Sequence, residues 1–499
     1  MQLTPDFARF ETLYNAGQGQ LVSTSLVADL ETPVSAMMKL AEGRPYSILL
    51  ESVEGGAIRG RYSIIGTKPD LVWRSIGGQA YINRRARFDR HGFEPVDLPP
   101  LESLRALINE SRLEIDPGMP PMSAGLFGHM GYDMVREMER LPDLGKPGLD
   151  VPDAVFVRPT LMAIFDIIED RVTLVTPVRP EAGIAARPAY DLACERLAEA
   201  VADFERALPH SMPRISSPPP EPVSNVTKEQ YFEMVEKSKE YIMAGDIFQV
   251  VPGQRFRIPF RLPPFSLYRS LRRLNPSPFL FYLDLDGYAL VGSSPEILVR
   301  LRDGRVTIRP IAGTRPRGRN AAEDQALADD LLADPKEVAE HIMLLDLGRN
   351  DVGRVAKIGS VEVTEKMVIE HYSHVMHICS NVEGDIRDEM DMLDALVAGF
   401  PAGTVSGAPK VRAMEIIEEL EPEKRSFYAG AVGYLSADGN MDTCIALRTA
   451  MIKDGTMYVQ AGGGVVADSD PETEYQESCN KARALIKAAE EAVRFANQR

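Results

Sequence analysis

Two short stretches of the sequence each combine a helix start with a pair of glutamates. Residues 334–340 read DPKEVAE, and residues 470–477 read DPETEYQE. Asp-Pro is typical of a helix N-cap followed by the first helical residue. A spacing of three residues puts both carboxylates of a pair on one helical face. The pairs are Glu337 with Glu340 and Glu474 with Glu477. Together they predict an oxygen-only site for Mg²⁺, which takes few carboxylates and leaves places for substrate oxygens.

Helix capping explains part of this pattern without any chemistry. Glu337 falls at the capping-box position, and acidic residues in a first turn suit the helix dipole. Glu340 and Glu477 lie one turn deeper, where capping does not account for them. A solvated helical face is the ordinary alternative for each glutamate taken singly. A di-iron bundle is disfavoured, because the sequence lacks its Glu-x-x-His motifs.

Three histidines suggest a different metal at first sight. His371, His374 and His377 are spaced by three in HYSHVMH, which on a helix would gather them around an ion. The continuation HVMHICSNVEG is rich in β-formers, and residues three apart on a strand point to opposite faces. The sequence therefore predicts a strand and disfavours zinc. His377 would share its face with Val375 and Cys379, as a core histidine or as an acid/base group.

Two glycine-rich stretches precede helices. AGGGVVADSDP, 461–471, leads into the second glutamate helix, and FPAGTVSGAPK, 400–410, ends at another helix start. Bare backbone N–H groups at such places can bind an anion, although simple loops are the ordinary alternative. No Walker motif or GxGxxG occurs, so the pattern favours a carboxylate substrate over a nucleotide.

These residues need helices and strands to position them. Helical periodicity predicts helices at 227–244, 335–348, 409–420 and 471–497, and YALVGSS, RVTIRPIAG, YAGAVGYLS and TMYVQAGGG are typical of strands. Turns such as SADGN, 436–440, favour antiparallel pairing. We therefore expect an α+β fold with large mixed, mainly antiparallel sheets packed with helices.

One segment rich in proline and serine predicts a boundary. HSMPRISSPPPEPVSN, 210–225, lacks any apolar period and is typical of a linker. We expect an N-terminal segment at 1–213, a linker at 214–226 and a catalytic domain at 227–499.

Composition narrows the function classes. The net charge of −17 argues against nucleic acid as a partner. Four cysteines without a CxxC motif predict neither a disulfide framework nor a zinc site. The N-terminus has no apolar signal region, and no run is long enough to cross a membrane. The sequence predicts a cytoplasmic protein.

Several long blocks resemble those of a known family. PIAGTRPRG, EHIMLLDLGRNDVGRV, GTVSGAPKVRAMEII, YAGAVGY, DTCIALRT and AGGGVVADSDPETEYQESCNKARA are similar to the signature blocks of the chorismate-utilising enzymes, in their order and over about 227–487. LLES, 49–52, and GLFGHMGYD, 125–133, resemble the large subunits of anthranilate synthase. This resemblance implies conversion of chorismate and ammonia to anthranilate and pyruvate, the first step of tryptophan biosynthesis.

Two positions bear on the choice within the family. Aminodeoxychorismate synthases carry a lysine nucleophile where this sequence has Ala312, and isochorismate and salicylate synthases use a lysine base where it has Gln249. By resemblance, ammonia is then the nucleophile. An aminodeoxychorismate synthase component and a catalytically silent regulatory homologue remain the alternatives.

The resemblance also implies roles for individual residues. Glu340 and Glu477 would bind Mg²⁺ directly, and Glu337 and Glu474 would hold its waters. The catalytic set is Glu296, His377 and Thr404, with Glu296 as the acid that protonates the departing C4 hydroxyl. The substrate-binding set is Gly313, Thr314, Tyr428, Arg448, Gly462, Gly463, Gly464 and Lys481.

A partner and a regulator follow from the same resemblance. The sequence has no Gly-x-Cys-x-Gly nucleophile for hydrolysing glutamine, so we expect a glutamine amidotransferase subunit in a hetero-oligomer. The expected tryptophan pocket for feedback inhibition consists of Ser52, Pro278, Phe279 and Leu280. Structurally, these residues could equally be core and turn positions.

Overall fold

The computed structural model describes residues 1–41, 43–54, 58–120, 122–208, 221–372 and 375–497. Most of the expected linker, from 214 to 220, lies outside these residues, as does His374. Within the described part of that segment, residues 223–224 form a short strand.

The helices follow the apolar periodicity of the sequence. They are α1 (Phe7–Asn15), α2 (Pro33–Leu40), α3 (Pro100–Glu110), α4 (Ala186–Glu205), α5 (Lys228–Met243), α6 (Pro264–Leu274), α7 (Ala321–Ala333), α8 (Pro335–Gly353), α9 (Met392–Gly399), α10 (Lys410–Leu420) and α11 (Pro471–Asn497), with 3₁₀ turns at Tyr132–Glu137 and Gly403–Val405. The four predicted helices correspond to α5, α8, α10 and α11. None of the helices described is both long and apolar enough to span a membrane.

The strands include all those that the sequence predicts. They are β1 (Gln20–Val27), β2 (Ile48–Glu54), β3 (Ile58–Ile76), β4 (Gln79–Asn83), β5 (Glu94–Pro95), β6 (Gly125–Met130), β7 (Ala154–Asp166), β8 (Arg171–Val178), β9 (Val223–Ser224), β10 (Gln249–Val250), β11 (Gly253–Pro259), β12 (Phe279–Asp284), β13 (Tyr288–Ser294), β14 (Ile297–Arg302), β15 (Arg305–Ile308), β16 (Ile311–Pro316), β17 (Glu362–His371), β18 (Val375–Asp385), β19 (Gly407–Ala408), β20 (Ala431–Ser436), β21 (Met441–Ile445), β22 (Thr449–Lys453) and β23 (Thr456–Gly462).

Two sheet arms diverge from the long strand β7. The first arm runs β7–β3–β2–β12–β13–β22–β23–β11, and the second runs β7–β6–β20–β21–β14–β15–β18, with β16 and β17 both paired to β18. All of these pairings are antiparallel. The α+β prediction with large antiparallel sheets is confirmed.

The first arm separates two hydrophobic cores. On β12, Phe281 and Leu283 pack into the core that the two arms enclose, together with β14, β20 and α9. Leu280 and Tyr282 point to the opposite face, where α4, α6 and α11 cover the sheet. This alternation follows from the period of two along a strand. Because β2 and β12 are hydrogen-bonded neighbours, chain segments from both sides of residues 209–220 share these cores.

A buried ion pair fastens α6 to this sheet. Glu51 on β2 is only 6% exposed and accepts hydrogen bonds from Arg272 Nε at 2.6 Å and Arg272 Nη2 at 2.7 Å. The hydroxyl of Tyr268 donates to the same carboxylate. Removing one partner of such a pair leaves an uncompensated buried charge.

We expect Glu51→Ala to destabilise the protein by about 3–5 kcal/mol, because Arg272 then loses its buried counter-charge. Denaturant unfolding monitored by circular dichroism measures this. Arg187→Ala removes an exposed pair with Asp191 and is the control, which should change the unfolding midpoint little. Equal midpoints for the two variants would contradict the prediction.

Candidate active site

The site lies where strands cross from one sheet arm to the other. Glu296 sits in the link between β13 of the first arm and β14 of the second, and Arg448 sits in the link between β21 and β22. Each link is hydrogen-bonded to a strand residue that lies near the other link. The amide of Ile445 donates to the Glu296 carbonyl at 3.1 Å, and the amide of Ser293 donates to the Arg448 carbonyl at 3.1 Å. Two polar side chains distant in sequence are thereby fixed side by side.

Burial sets the protonation state of Glu296. Its side chain is buried, and loss of hydration raises its pKa to about 8. The Thr404 hydroxyl donates to Glu296 Oε1 at 3.3 Å, and the charges of Arg448 and Lys481 offset only part of the burial effect. Glu296 is therefore a neutral acid at pH 7, able to donate a proton.

His377 is held in the opposite state. It lies on β18, as the sequence predicts, opposite Thr314 in the register with β16. Its Nδ1 lies 3.0 Å from the Gly313 carbonyl and 3.1 Å from the Thr314 hydroxyl. Donation to the carbonyl puts the proton on Nδ1 and leaves Nε2 as an acceptor. Burial lowers the pKa of His377 to about 4, so the ring is neutral.

The first glutamate pair lies on α8, as predicted. Asp334 caps this helix by accepting from the amides of Lys336 at 3.0 Å and Glu337 at 3.4 Å. The Glu337 side chain pairs with Arg315 at 3.3 Å, a partner that the sequence analysis did not foresee. Glu340 accepts from Gln249 Nε2 at 3.4 Å.

Carboxylate crowding affects Glu340. Its pKa is raised by burial first and then by the charge of Glu337, with a smaller contribution from Glu477 on α11. Burial and then the charge of Glu477 also raise the pKa of Glu474, so all four glutamates are linked electrostatically. An added cation would relieve this repulsion.

The second glutamate pair is divided between a buried and an exposed position. Glu474 Oε1 accepts from Ser469 Oγ at 2.7 Å, whereas its buried Oε2 has no hydrogen-bond partner. Glu477 remains 47% exposed and pairs with Lys481 at 2.7 Å. The Lys481 ammonium also donates to the Gly462 carbonyl at 3.0 Å. A predicted metal ligand and a predicted substrate ligand thus bind each other.

The donor set fits Mg²⁺. It consists of carboxylate oxygens alone, one of them an orphaned buried oxygen on Glu474, and the repulsion at Glu340 calls for a positive charge. Across the described ranges, no three His, Cys, Asp or Glu side chains converge closely enough to hold an ion as they stand. Metal binding at this site therefore requires side-chain movement, starting with Lys481.

Glycines allow the main chain to approach these carboxylates. A Cβ at Gly463 would lie 2.6 Å from Glu474 Oε2, and a Cβ at Gly464 would lie 2.3 Å from Gln249 Nε2. Gly313 has a φ of +78°, and a Cβ there would lie 3.1 Å from Glu337 Oε2. A side chain at any of the three would push into the site.

The remaining predicted residues also border this place. Arg448 has a positive φ of 47°, and burial lowers the pKa of its guanidinium, which the nearby Tyr372 and Glu296 offset in part. The pKa of the buried Tyr428 is raised by desolvation, against the charges of Arg425 and Lys481. The residues predicted to be catalytic, substrate-binding and metal-binding therefore lie close to one another, around one candidate cleft.

The residues expected to bind tryptophan lie outside this cleft, but strand pairing connects them to it. Ser52 on β2 pairs with Phe279 on β12, and Phe279 pairs in turn with Ser294 on β13. Ser294 is two residues from Glu296. A ladder of three adjacent strands thus joins Ser52 to the acid.

Three features of the site escaped the sequence analysis. Arg315, Ser469 and the ion pair of Lys410 with Asp351, at 2.8 Å, each hold a site residue or border one. Arg315 stands one residue after the predicted Thr314, and Ser469 directly precedes the Asp470 cap. Such adjacency was the available signal, but Arg315 and Lys410 find their partners 22 and 59 residues away along the chain.

Comparison with known proteins agrees with this geometry. A family model described as chorismate binding enzyme matches residues 64–487. The chain belongs to this family of chorismate-binding enzymes. Family membership confirms the resemblance predicted from the signature blocks, and the prediction that the chain is an enzyme.

Individual relatives carry a more specific name than the family model does. The chain is 60% identical to anthranilate synthase component 1 of Cereibacter sphaeroides over 99% of both chains, and 48% identical to that of Pseudomonas putida over 93% of both. The crystal structure of anthranilate synthase component I from Streptococcus pneumoniae superposes with a TM-score of 0.75 at 38% identity, covering 86% of this chain and 92% of that one. An isochorismate synthase from Escherichia coli, at 19% identity and a TM-score of 0.70, shares the fold.

The raised pKa of Glu296 makes stability depend on pH. Because the folded pKa of about 8 exceeds the value of about 4.3 for an unfolded glutamate, the native state binds the proton more tightly. This contribution is fully present below about pH 4 and is lost as the pH rises through about 8. We expect Glu296→Gln to remove it.

The unfolding free energies of wild type and Glu296→Gln should therefore change relative to each other by roughly 1.4 kcal/mol per pH unit between pH 5 and 8. Denaturation curves across this range measure it. Glu195→Gln, an exposed position on α4, should follow the wild type. Parallel curves for wild type and Glu296→Gln would show that Glu296 does not titrate in this way.

Proposed function

We propose that this chain catalyses the Mg²⁺-dependent amination of chorismate by ammonia, giving anthranilate and pyruvate. The observation that carries the proposal is the carboxyl group of Glu296, which is buried at the crossing of the sheet arms and hydrogen-bonded by Thr404, with Arg448 and Lys481 in electrostatic reach. A dicarboxylate substrate with a poor hydroxyl leaving group needs both features. The names of the relatives support the same reaction.

The cations of the cleft bind the substrate. Arg448 presents a guanidinium suited to a bidentate bond with one carboxylate, and Lys481 supplies a second positive charge. Tyr428 and the backbone N–H groups at 462–464 complete the binding surface for the carboxylates and the ether oxygen. Two anionic groups thus hold the ring against Glu296.

Glu296 donates its proton as the C4–O bond breaks, so the hydroxyl leaves as water. Thr404 keeps the carboxyl group oriented by donating to Oε1. Ammonia adds at C2 as the double bond shifts. His377, with Nδ1 bound to the Gly313 carbonyl, has a free acceptor at Nε2 that assists removal of the C2 proton when pyruvate leaves.

The glutamate pairs supply the metal site. Glu340 and Glu477 would bind Mg²⁺ directly, and Glu337 and Glu474 would hold its waters. When bound, the ion supplies positive charge to the ring carboxylate of chorismate. Lys481 must release Glu477 for this arrangement and is then free for the substrate.

Ammonia as the nucleophile is supported by two side chains. Ala312 is buried on β16, where it has no amine to attack the ring. Gln249 is neutral and donates to Glu340, so it cannot activate water as a lysine would. These positions favour amination by free ammonia over the other reactions of the family.

The proposal includes a partner subunit, an inhibitor and a cellular compartment. A glutamine amidotransferase subunit supplies the ammonia in a hetero-oligomer, and tryptophan inhibits the enzyme at Ser52, Pro278, Phe279 and Leu280. The four free cysteines suit the reducing cytosol. The expected division at 1–213, 214–226 and 227–499 would place Ser52 and the catalytic residues in different parts of the chain.

The activity itself is tested with the purified chain, chorismate and Mg²⁺. With ammonium added, we expect the fluorescence of anthranilate and an equal amount of pyruvate. With glutamine in place of ammonium we expect neither, since the nucleophile for glutamine hydrolysis is missing. Absence of anthranilate with ammonium would refute the proposed reaction, and activity with glutamine alone would refute the partner.

The metal assignment is tested by Glu340→Gln. We expect turnover at limiting Mg²⁺ to fall on the order of 100-fold, because the variant loses a charged ligand, and calorimetry should show weaker Mg²⁺ binding. Glu472→Gln is the control, since Glu472 lies on the same helix as the second pair but bonds Lys228 and Gln476. Normal activity of Glu340→Gln at low Mg²⁺ would contradict the assignment.

Feedback inhibition is tested by Ser52→Phe. A bulky ring should fill the pocket next to Phe279 and raise the tryptophan concentration for half-inhibition by ~10-fold or more. Turnover without tryptophan should be nearly unchanged, because the cleft lies two strands away. A tryptophan-insensitive wild type, or a loss of turnover as severe as in Glu340→Gln, would rule out this regulatory site.

A further inference from the structure

A small cavity adjoins Glu296 on the side of α8. Its volume is about 20 Å³, and a space of roughly 10–15 Å³ holds one water if polar partners are present. Most of its lining is apolar and comes from β14, α8, α9 and the 3₁₀ turn at 403–405. The polar side chains in the lining are Glu296, Thr404 and Asp351. The cavity therefore has room for a water, and the carboxyl groups of Glu296 and Asp351 both contribute to its lining.

The second carboxyl group belongs to a buried ion pair. Both oxygens of Asp351 accept from Lys410 Nζ, at 2.9 and 2.8 Å, and the two side chains are only 8% and 10% exposed. Buried ion pairs add little net stability, because desolvation consumes the Coulombic gain. Lys410 is also the first residue of α10, where the helix dipole disfavours a cation. Stability does not account for this pair.

The proposed reaction requires that Glu296 be reprotonated in each turnover, and the ion pair of Lys410 with Asp351 can supply the proton. This inference rests on the proposed reaction. Once Glu296 has given its proton to the leaving hydroxyl, it is a buried carboxylate that must regain one proton per turnover. The charged groups that act on it are Arg448 and Lys481, with the Cys379 thiol also nearby. Those that act on Asp351 are Lys410 and Arg354.

We propose that the cavity holds one water bonded to Glu296 and Asp351, through which Lys410 returns a proton to Glu296 after each turnover. The Lys410 ammonium gives up a proton to the Asp351–water chain, the water passes one to Glu296, and Lys410 regains its proton from solvent. The proton released when the added nitrogen becomes a neutral amine balances this uptake. Lys410 and Asp351 are positioning residues, since they act through the water.

Gly348 on α8 offers a direct test, because it lines the cavity. A Cβ there would lie 3.5 Å from Ile308 Cγ2 and 3.9 Å from Pro310, which is ordinary contact distance. Gly348→Ala therefore fits and fills the place of the water. We expect the melting temperature to stay equal or rise, while kcat for anthranilate formation with ammonium falls by roughly 10-fold or more at an unchanged KM for chorismate.

Gly353→Ala is the matched control. It lies on the same helix, is exposed, and a Cβ there would have no neighbour within 4 Å. It should gain stability in the same way and keep the wild-type kcat. Equal kcat for both alanine variants, or an effect of Gly348→Ala on KM alone, would overturn the proposal. If the wild type and Gly353→Ala form no anthranilate, the proposed function fails instead.

The pair is tested by Asp351→Asn combined with Lys410→Met, which avoids leaving a lone buried charge. We expect kcat to fall while KM stays constant, the alkaline limb of the kcat–pH profile to move to lower pH, and the solvent deuterium isotope effect on kcat to increase. A purely structural role would leave the profile and the isotope effect unchanged. That result, in a folded double variant, would overturn the relay.

Discussion

The site depends on one constraint, the hydrogen bonding between the two strand crossings. Glu296 and Arg448 occupy two links that join one sheet arm to the other. The carbonyl of Glu296 accepts from the amide of Ile445, next to the second link, and the carbonyl of Arg448 accepts from the amide of Ser293, near the first link. A backbone group in such a link cannot shift without breaking strand pairing on both sides. Main-chain bonds thus fix where Glu296 and Arg448 stand, and the Thr404 hydroxyl then orients the Glu296 carboxyl group.

This placement explains why burial, rather than a charged neighbour, sets the chemistry. At the crossing, the core enclosed by the two arms excludes water, which raises the pKa of Glu296 and lowers that of His377. Both groups are therefore neutral at pH 7. The Glu296 carboxyl group keeps its proton and one ring nitrogen of His377 carries none, so one dielectric effect leaves both side chains uncharged.

The proposed metal site follows a different principle. Its carboxylates are supplied by two helix starts, and their mutual repulsion is held in check by Arg315 beside Glu337 and Lys481 beside Glu477. Side-chain ion pairs of this kind exchange partners easily, unlike backbone bonds. A carboxyl group on a hydrogen-bonded main-chain link therefore lies near carboxylates whose ion pairs can rearrange.

The sequence by itself determined the local elements and the family. The Asp334 cap, the alternation on β18 and the helical face of α11 all depend on neighbours within a few residues, and the signature blocks identified the family. Only the tertiary structure decided which carboxylates are buried and which side chains they contact. The pKa of Glu296, the pairing of Arg315 with Glu337 and the water-sized cavity near Asp351 arise from segments far apart in the chain. Desolvation and long-range pairing have no local pattern, because they depend on which strands meet, and that is settled only when the whole sheet closes.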